Sequence, residues 1–204
     1  MLLQVDREAV SGWGVGDRVA LTDSQGVVHA LLDVSEVYHY DLGDLAQRMY
    51  GTTSPDHPGV GNLMAQGDAF VGGDVTLVRA LESPLRHYLL TPAQTRFIFT
   101  RLGWSRVVAF HTRNVAHRGH EWIQHQALEL TGADGLYINP VVGSKKPGDF
   151  LAEPILLSYE RLLEFGCYPK GRVVLGSFFT SSRYAGPREA VFTALCRKNM
   201  GCSH

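Results

Sequence analysis

Residues 106–132 read RVVAFHTRNVAHRGHEWIQHQALELTG, and this stretch decides the fold. It begins with a short apolar, β-branched run, which is typical of a strand buried in a parallel sheet. The residues Ala116–Thr131 are predicted to form a helix that Gly132 terminates. The apolar stripe of this helix is predicted to consist of Ile123, Ala127 and Leu130. A buried strand that leads directly into a helix is the unit from which α/β folds are built.

The same pattern occurs twice more towards the end of the sequence. Strands are predicted at Gly135–Val142 and Arg172–Leu175, and helices at Glu153–Phe165 and Pro187–Asn199. Both helices have proline in the first turn and glycine shortly past the end, an asymmetry that is typical of helix boundaries. Three strand–helix repeats predict a parallel sheet covered by helices, a nucleotide-binding type of architecture. After the last helix the pattern requires another strand, so a further segment or chain is expected to complete the sheet.

The first half of the chain has a different character. Residues 1–90 are rich in glycine and in short β-type runs and are predicted to form a mostly-β domain, which leaves residues 91–204 as the α/β domain. A hairpin turn is predicted at Asp23-Ser-Gln-Gly26, a helix at Asp41–Tyr50, and turns throughout Gly51–Val60. The strands predicted in this half are Arg18–Thr22, Val27–Leu32, Val34–Tyr38 and Val75–Leu81.

Composition and charge exclude several classes of protein. The 204 residues are 45% hydrophobic and 19% charged, which excludes intrinsic disorder. The net charge of −1 provides no global attraction to nucleic acid or to an anionic membrane, so an anion must be bound by a local site. The three widely spaced cysteines suggest neither a disulfide framework nor a zinc ribbon. The sequence contains neither a signal-peptide pattern at its start nor a bilayer-spanning stretch, so a cytoplasmic location is expected.

The residues suited to chemistry cluster where the first strand of the α/β half meets its helix. In open α/β sheets, ligands bind outside the carboxyl ends of the strands, where a helix N-terminus presents free N–H groups to an anion. His117 and His120 are three positions apart, so both are expected to project from one face of the first helical turn. Arg113 and Arg118 supply fixed positive charge in a fork geometry suited to phosphate or sulfate. Thr112 and Asn114 are hydrogen-bond donors, and Asn114 is also a candidate helix cap.

Other interpretations stay open at this stage. His117 and His120 are also candidate zinc ligands, although zinc-binding helices usually place two histidines four positions apart. The glycine-rich loop around Lys145 and Lys146 either approaches a phosphate or is an ordinary surface turn. The segment Arg183–Glu189 places an arginine in the first turn of a helix, which is unfavourable unless an anion is bound there.

A series of motifs in this sequence resembles the ATP sulfurylase (sulfate adenylyltransferase) family. His111-Thr-Arg-Asn114 followed by His117-x-x-His120 is similar to the Gln-Thr-Arg-Asn-Pro and His-x-x-His signature of that family. The ordered series also includes Gly51-Thr-Thr, His57-Pro-Gly-Val60, Phe70-Val-Gly-Gly73, Thr91-Pro-Ala-Gln-Thr-Arg96, Pro140-Val-Val-Gly143, Lys146-Pro-Gly-Asp149, Tyr184-Ala-Gly-Pro-Arg-Glu189 and Arg197-Lys-Asn199. The motifs cover nearly the whole chain in order, so chance similarity does not account for them.

The resemblance implies a PUA-like β domain followed by a Rossmann-like α/β nucleotidyltransferase domain. It implies the reaction of ATP with sulfate to give adenosine 5′-phosphosulfate and pyrophosphate, with Mg²⁺. His111 and Arg113 would bind sulfate, and the catalytic residues would be Thr112, Arg113, Asn114, His117 and His120. The nucleotide would be bound by Thr112, Asn114, His117, His120, Lys145 and Lys146, with no side chain as a resident metal ligand. The resemblance also leaves room for a homo-oligomer or for a fused or associated kinase domain.

Three departures from the family pattern bear on function. His111 stands where the family has glutamine, so an amide is replaced by an imidazole that is either charged or neutral near pH 7. Val115 replaces a proline. The family's next motif, Gly-Arg-Asp-His-Ala-Gly, does not follow in this sequence, so the chain is expected to hold part of an active site. Two alternatives therefore remain: a sulfurylase-like domain that binds a nucleotide, an anion or a partner without turnover, and a nucleotidyltransferase with another acceptor.

Overall fold

The computed structural model describes residues 2–144 and 148–204. These residues form two compact units. One comprises the chain up to Ser83 together with Arg183–Arg188, and the other comprises Pro84–Ser182 together with Glu189–His204. Within the described residues, none of the helices combines the length and the apolar character that a membrane crossing requires. The division at residue 90 that composition suggests stays a prediction.

The first unit is built on a four-stranded antiparallel sheet. Its strands, in the spatial order β1-β4-β3-β2, are β1 (Leu2–Val5), β2 (Arg18–Thr22), β3 (Val28–His39) and β4 (Ala69–Leu77). The core on this sheet is centred on Leu32, Ala69 and Val71, which are fully buried. The mostly-β character predicted for this part of the chain is confirmed.

The predicted hairpin turn connects β2 to β3. The Asp23 carboxylate accepts hydrogen bonds from the backbone N–H groups of Gln25 and Val27, at 2.9 and 3.0 Å. Gly26 closes the turn with a φ of +80°, a conformation that glycine adopts without a steric cost. The hairpin is therefore stabilised by local side-chain chemistry that the sequence already indicates.

The strands after this turn differ from the prediction. The two short strands expected on either side of Asp33 are one strand, β3, with a bulge between Val34 and Glu36. Asp33 does not interrupt the strand, because its carboxylate pairs with Arg18 on β2 at 2.6 Å. The strand predicted at Val75–Leu81 was also misplaced, since β4 begins at Ala69 and ends at Leu77.

The helices of the first unit are α1 (Leu42–Tyr50) and α2 (Pro58–Ala65). The prediction of α1 is confirmed, and Asp41 caps it by accepting hydrogen bonds from the first-turn backbone. The prediction of turns throughout residues 51–60 was wrong, because α2 begins inside this stretch. The reason is a cap that sequence rules do not favour: the Nδ1 atom of His57 accepts hydrogen bonds from the N–H groups of Gly59 and Val60.

The second unit contains a three-stranded parallel sheet whose strands, in the order β5-β6-β7, are β5 (Val107–Phe110), β6 (Gly135–Ile138) and β7 (Val173–Leu175). The helices of this part of the chain are α3 (Pro92–Arg101), α4 (Arg118–Thr131), α5 (Ala152–Glu164) and α6 (Pro187–Asn199). Side chains of α4 and α5 pack with Leu136 and Ile138 of β6. Tyr137, which lies between these two residues of β6, packs instead with Phe99 of α3. Because neighbouring strand residues point to opposite faces, both faces of the sheet are covered. The predicted α/β architecture is confirmed.

The last two residues of the sequence form backbone hydrogen bonds with β5, at the edge of this sheet. The His204 N–H donates to the carbonyl oxygen of Val107 at 3.1 Å, and the Ala109 N–H donates to the carbonyl oxygen of His204 at 2.8 Å. One residue that bonds to the neighbours on both sides of its partner is the pattern of parallel strands. The chain at His204 therefore runs parallel to β5, which is the direction that the strand–helix repeat predicts.

The buried face of α4 differs from the apolar stripe predicted for it. Ile123 is 49% exposed and Leu130 is 82% exposed, whereas Gln124 and Leu128 are buried. Ala127 lies beside the core and is partly buried. The stripe was wrong because a glutamine occupies the inward position, where its side-chain oxygen accepts a hydrogen bond from the Tyr168 hydroxyl.

The close approach of β4 to β3 leads to a test of stability. A Cβ atom added at Gly73 would overlap the carbonyl oxygen of Asp33, so Gly73→Ala is expected to lower the free energy of unfolding by about 1–3 kcal/mol. Gly14→Ala is the control in the same unit, because the added Cβ would meet only the Asp17 carboxylate, at an ordinary 3.7 Å. Urea unfolding of both variants makes the measurement. Equal midpoints for the two variants would contradict the steric argument.

Candidate active site

The candidate site lies at the carboxyl end of β5, where the chain turns into α4. The backbone N–H of Asn139 donates to the Phe110 carbonyl oxygen at 2.9 Å, and the N–H of Val141 donates to that of Thr112 at 2.8 Å. These hydrogen bonds continue the pairing of the two strands into their following loops. Thr112 is therefore only 5% exposed, although it lies outside the strand. The turn that carries the predicted site residues is held at a defined place beside β6.

His117 begins α4 as its cap. Its Nδ1 atom accepts hydrogen bonds from the backbone N–H groups of Gly119 and His120, at 3.2 and 3.4 Å. The prediction that Asn114 caps this helix was wrong, because the helix starts at Arg118, and the Asn114 N–H donates instead to the Thr112 hydroxyl oxygen at 3.1 Å. The N–H groups at the helix start were expected to be free for an anion, but two of them are occupied by the imidazole.

Because Nδ1 of His117 accepts these hydrogen bonds, the proton of the neutral ring is on Nε2. His57 shows the same arrangement in the first unit, where Nδ1 caps α2 and Nε2 lies 3.1 Å from the Tyr184 carbonyl oxygen. A capping imidazole therefore presents its second nitrogen as a donor to oxygen. At His117, this donor is available to a ligand oxygen.

His120 lies against His117, as the spacing of the two residues predicts. The ring centroids are 3.7 Å apart and nearly parallel, and the edge of Phe110 contacts the His120 ring at 5.3 Å. Burial and the neighbouring His117 lower the pKa of His120, while the Val115 carbonyl acts in the opposite direction. An uncharged His120 is therefore favoured at neutral pH.

Tyr159 lies behind His120 and contacts it through its hydroxyl group. The hydroxyl oxygen is 3.2 Å from Nδ1 of His120, and the Tyr159 side chain is fully buried. Burial raises the pKa of Tyr159 to about 12, although polar contacts with Thr112 and Gln124 act in the opposite direction. The phenol therefore stays protonated and can donate to Nδ1 of His120. Sequence analysis missed Tyr159, because no motif distinguishes it from a core tyrosine. It also missed Gln124, although this residue follows His120 by four positions and so shares its face of the helix.

The two residues predicted to bind sulfate are held by partners of their own. The Arg113 guanidinium lies 4.0 Å from the Asp149 carboxylate, and the Arg113 side chain is 40% exposed. Nδ1 of His111 lies 2.6 Å from a guanidinium nitrogen of Arg197, a residue that the sequence did not place in the site. Arg197 is buried, whereas His111 is exposed.

The remaining predicted residues and segments fall into three sets. Thr112 contacts Asn114, and His117 contacts His120, in the segment that leads from β5 into α4. Lys145 and Lys146, predicted to bind the nucleotide, lie outside the described residues. The segment Arg183–Arg188 belongs to the first unit, where the Tyr184 carbonyl contacts His57.

The protonation of His117 disfavours the alternative interpretation of a zinc site. A zinc ligand needs an unprotonated ring nitrogen, but Nδ1 of His117 is occupied by the helix backbone and Nε2 carries the proton. Among residues 2–144 and 148–204, no group of three or more His, Cys, Asp or Glu side chains is placed to hold a metal ion. The arrangement instead presents imidazole N–H groups, a guanidinium and a hydroxyl, which are donors suited to an oxyanion.

Comparison with known proteins identifies relatives of both parts of the chain. Residues 86–204 match the family model described as ATP-sulfurylase, and residues 1–80 match the model of a PUA-like domain. The chain is 47% identical to a sulfate adenylyltransferase of Symbiobacterium thermophilum over 99% of this chain and 51% of that protein. It is 42% identical to a sulfate adenylyltransferase of Staphylothermus marinus over 100% of this chain and 52% of that protein. The chain thus spans about half the length of the curated relatives it matches.

A solved structure shares the fold. It is titled a hexameric APS kinase from Thiobacillus denitrificans, and its chain is similar with a TM-score of 0.74 and 22% sequence identity. The similarity covers 99% of this chain and 36% of that chain. At this level of identity the similarity concerns the arrangement of helices and strands, and it supports the combination of an antiparallel β unit with a parallel α/β unit.

The pKa of His120 provides a test of this geometry. His117→Asn keeps a side-chain oxygen for the helix cap and removes the stacked ring, so it is expected to raise the pKa of His120. Titration of the histidine signals by NMR makes the measurement, and His125→Asn is the control on the same helix. Because the pKa of His120 is lowered in the folded protein, the unfolded chain binds this proton from about pH 6.5 downwards, whereas the folded chain binds it only at lower pH. The free energy of unfolding therefore falls as the pH falls through this interval. An unchanged His120 titration in His117→Asn would contradict the contribution of the neighbouring ring.

Proposed function

The chain belongs to the ATP-sulfurylase family, and we propose that the protein is a sulfate adenylyltransferase that forms adenosine 5′-phosphosulfate and pyrophosphate from ATP and sulfate. The observation that carries the proposal is the pair of stacked imidazoles, His117 and His120, in the turn that carries Arg113 at the carboxyl end of β5. This is the edge of a parallel sheet at which α/β proteins bind their ligands. The turn coincides with the family signature in this sequence.

The proposed reaction is an in-line displacement at phosphorus. A sulfate oxygen attacks the α-phosphorus of ATP and forms a new P–O bond, while the bond to the bridging oxygen between the α- and β-phosphates breaks. The electron pair of that bond leaves with pyrophosphate. Sulfate is already ionised near neutral pH, so no general base is required. The protein therefore has to position two anions against each other and stabilise the charge that develops.

Each predicted side chain has a defined task in this scheme. Arg113 and His111 hold sulfate, Arg113 by charge and fork geometry and His111 through an N–H group. Thr112 and Asn114 contact the phosphates of the nucleotide. His117 and His120 donate hydrogen bonds to the α- and β-phosphate oxygens as charge builds in the transition state. Lys145 and Lys146 would add charge on the nucleotide side.

In this proposal Mg²⁺ arrives with ATP as part of the substrate. The residues described at the site offer imidazole nitrogens, a guanidinium and hydroxyl groups, whereas Mg²⁺ prefers oxygen ligands and usually keeps substrate phosphates and water around it. This donor set fits a metal ion that the polyphosphate carries, with protein side chains bound to the remaining phosphate oxygens.

The setting of the reaction is also proposed. All three cysteines are free thiols, which supports a reducing compartment such as the cytoplasm. The solved chain of similar fold is titled as hexameric and as an APS kinase. A homo-oligomer, or an association with a kinase that consumes the phosphosulfate, therefore remains part of the proposal.

The role of Arg113 leads to a direct test of the reaction. Arg113→Ala is expected to lower kcat/KM by about 100-fold or more, because a charged donor to the reacting anion is lost. Arg118→Ala is the matched control: it removes a neighbouring cation that is 95% exposed and pairs only at the surface with Glu121. Pyrophosphate release with ATP, Mg²⁺ and sulfate is measured on the whole protein that carries this sequence.

Three outcomes decide between the functions. A large loss in Arg113→Ala with normal turnover in Arg118→Ala supports the proposed role of Arg113. Wild-type turnover in Arg113→Ala would remove this residue from the mechanism. If the protein binds ATP or the phosphosulfate by calorimetry but releases no pyrophosphate, the alternative of a binding domain without turnover replaces the proposed function.

A further inference from the structure

Arg197 is a buried cation that has no carboxylate as a hydrogen-bond partner among the described residues. It is 3% exposed, and its guanidinium lies 3.0 Å from the Asn139 carbonyl oxygen, 3.3 Å from that of Thr193 and 2.6 Å from Nδ1 of His111. Its Nε atom has no hydrogen-bond partner among the described residues, and the ring of Phe178 lies 4.3 Å from the guanidinium carbon. A buried charge without a carboxylate partner is costly in free energy, so the remaining polar contacts of Arg197 determine how that cost is offset.

The contact with His111 determines which nitrogen of that ring carries the proton. A guanidinium has only N–H donors and no acceptor, so Nδ1 of His111 must accept. The neutral ring then carries its single proton on Nε2. Protonation of Nδ1 would break this hydrogen bond and place two positive charges next to each other. The contact therefore opposes the charged form of His111, which the sequence alone left undecided.

We propose that Arg197 is a positioning residue that holds His111 as an uncharged donor, with its Nε2–H group directed to the oxyanion substrate. The proposal rests on the proposed function, because it takes His111 as a ligand of that anion. The charge of Arg197 polarises the imidazole through Nδ1 and strengthens the Nε2–H donor, since linked hydrogen bonds reinforce one another. The arginine thus acts on the anion through the ring.

The order of acceptor and donor atoms explains why histidine can stand where the family has glutamine. A glutamine at position 111 would offer its carbonyl oxygen to Arg197 and its N–H group to the anion. A neutral imidazole offers Nδ1 and Nε2–H in the same order. A charged imidazole could not, because both of its nitrogens are donors. The hydrogen bond from Arg197 therefore makes this replacement conservative in its chemistry.

The described residues that line the cavity beside His111 supply no side-chain carboxylate that would stabilise a charged imidazole. A cavity of about 550 Å³ is lined by His111, Arg197, Lys198, Cys202 and His204, with no Asp or Glu among its described lining residues. Burial lowers the pKa of Arg197 to about 10, which leaves the guanidinium charged at neutral pH. Burial raises the pKa of Cys202 to about 12, so its thiol stays uncharged. Along the same loop, Arg113 pairs with Asp149.

The tautomer of His111 can be read directly, without ligand or turnover. In the wild-type protein labelled with ¹⁵N-histidine, we expect the His111 Nδ1 signal to be that of an unprotonated nitrogen and the Nε2 signal that of an N–H group, from pH 8 down to pH 6. In Arg197→Met, both tautomers should appear and the ring should titrate. Arg197→Lys should restore the wild-type pattern in part, because an ammonium group also donates. A wild-type His111 with the proton on Nδ1, or with both nitrogens protonated at pH 7, overturns the proposal.

Lys198→Met is the matched control. It removes a cation from the next position of α6 and from the same cavity, but leaves the contact with Nδ1 of His111 intact. The wild-type tautomer should persist in this variant. A shift in Lys198→Met equal to that in Arg197→Met would show that general charge, and not the hydrogen bond, controls the ring, and would overturn the proposal. If Arg197→Met does not fold, the wild-type spectrum still decides the tautomer.

The action on the anion is tested by kinetics on the whole protein that carries this sequence. Arg197→Met is expected to raise KM for sulfate by roughly tenfold or more, the effect of weakening one hydrogen bond to a charged group. KM for sulfate in the wild type and in His111→Gln should have parallel pH dependences between pH 6 and pH 8. A wild-type KM that falls towards pH 6 while that of His111→Gln stays flat would show a charged donor and overturn the proposal. Absence of turnover in every protein, with the expected tautomer present, would count against the proposed reaction and against sulfate as the ligand of His111.

Discussion

Helix α4 begins on hydrogen bonds from its own backbone to an imidazole nitrogen, and the arrangement of the site depends on this constraint. Because Nδ1 of His117 accepts from the N–H groups of Gly119 and His120, the ring orientation is determined by the helix start. The ring then stacks on His120, which in turn meets the Tyr159 hydroxyl. A serine or aspartate cap would start the helix equally well but would provide no N–H group on its far side.

In three histidines of this segment, the same ring nitrogen, Nδ1, contacts another group of the protein. Nδ1 is occupied by backbone N–H groups at His117, by a phenol at His120 and by a guanidinium at His111. In the neutral rings of His117 and His111, the proton is therefore on Nε2. Uncharged donors avoid the repulsion that several imidazolium groups would exert on one another and on nearby arginines, and they suit a reaction in which charge on phosphate oxygens increases. In the proposed reaction, the α/β unit would supply preorganised hydrogen bonds rather than a nucleophile.

Periodicity predicted the elements whose local pattern agrees with their packing. The strand–helix repeats around Val107–Phe110 and the helix at Pro187–Asn199 follow from apolar runs, proline and glycine. The prediction failed where tertiary contacts override the pattern. Gln124 occupies the inward face of α4, where its side-chain oxygen accepts a hydrogen bond from Tyr168, and α2 starts inside a stretch of turn residues because His57 caps it. Tyr168 is 44 residues away from Gln124, whereas His57 directly precedes α2 but is not a residue type that helix-start rules favour.

The sequence by itself determined which residues meet at the carboxyl end of β5, because the spacing of His117 and His120 and the strand before them specify one turn. It also determined the family, since the motifs occur in order along the chain. Only the tertiary structure decided how these residues are protonated and held. Arg197 and Tyr159 come from helices that follow much later in the chain, and a hydrogen bond between distant segments leaves no periodic signal in either of them.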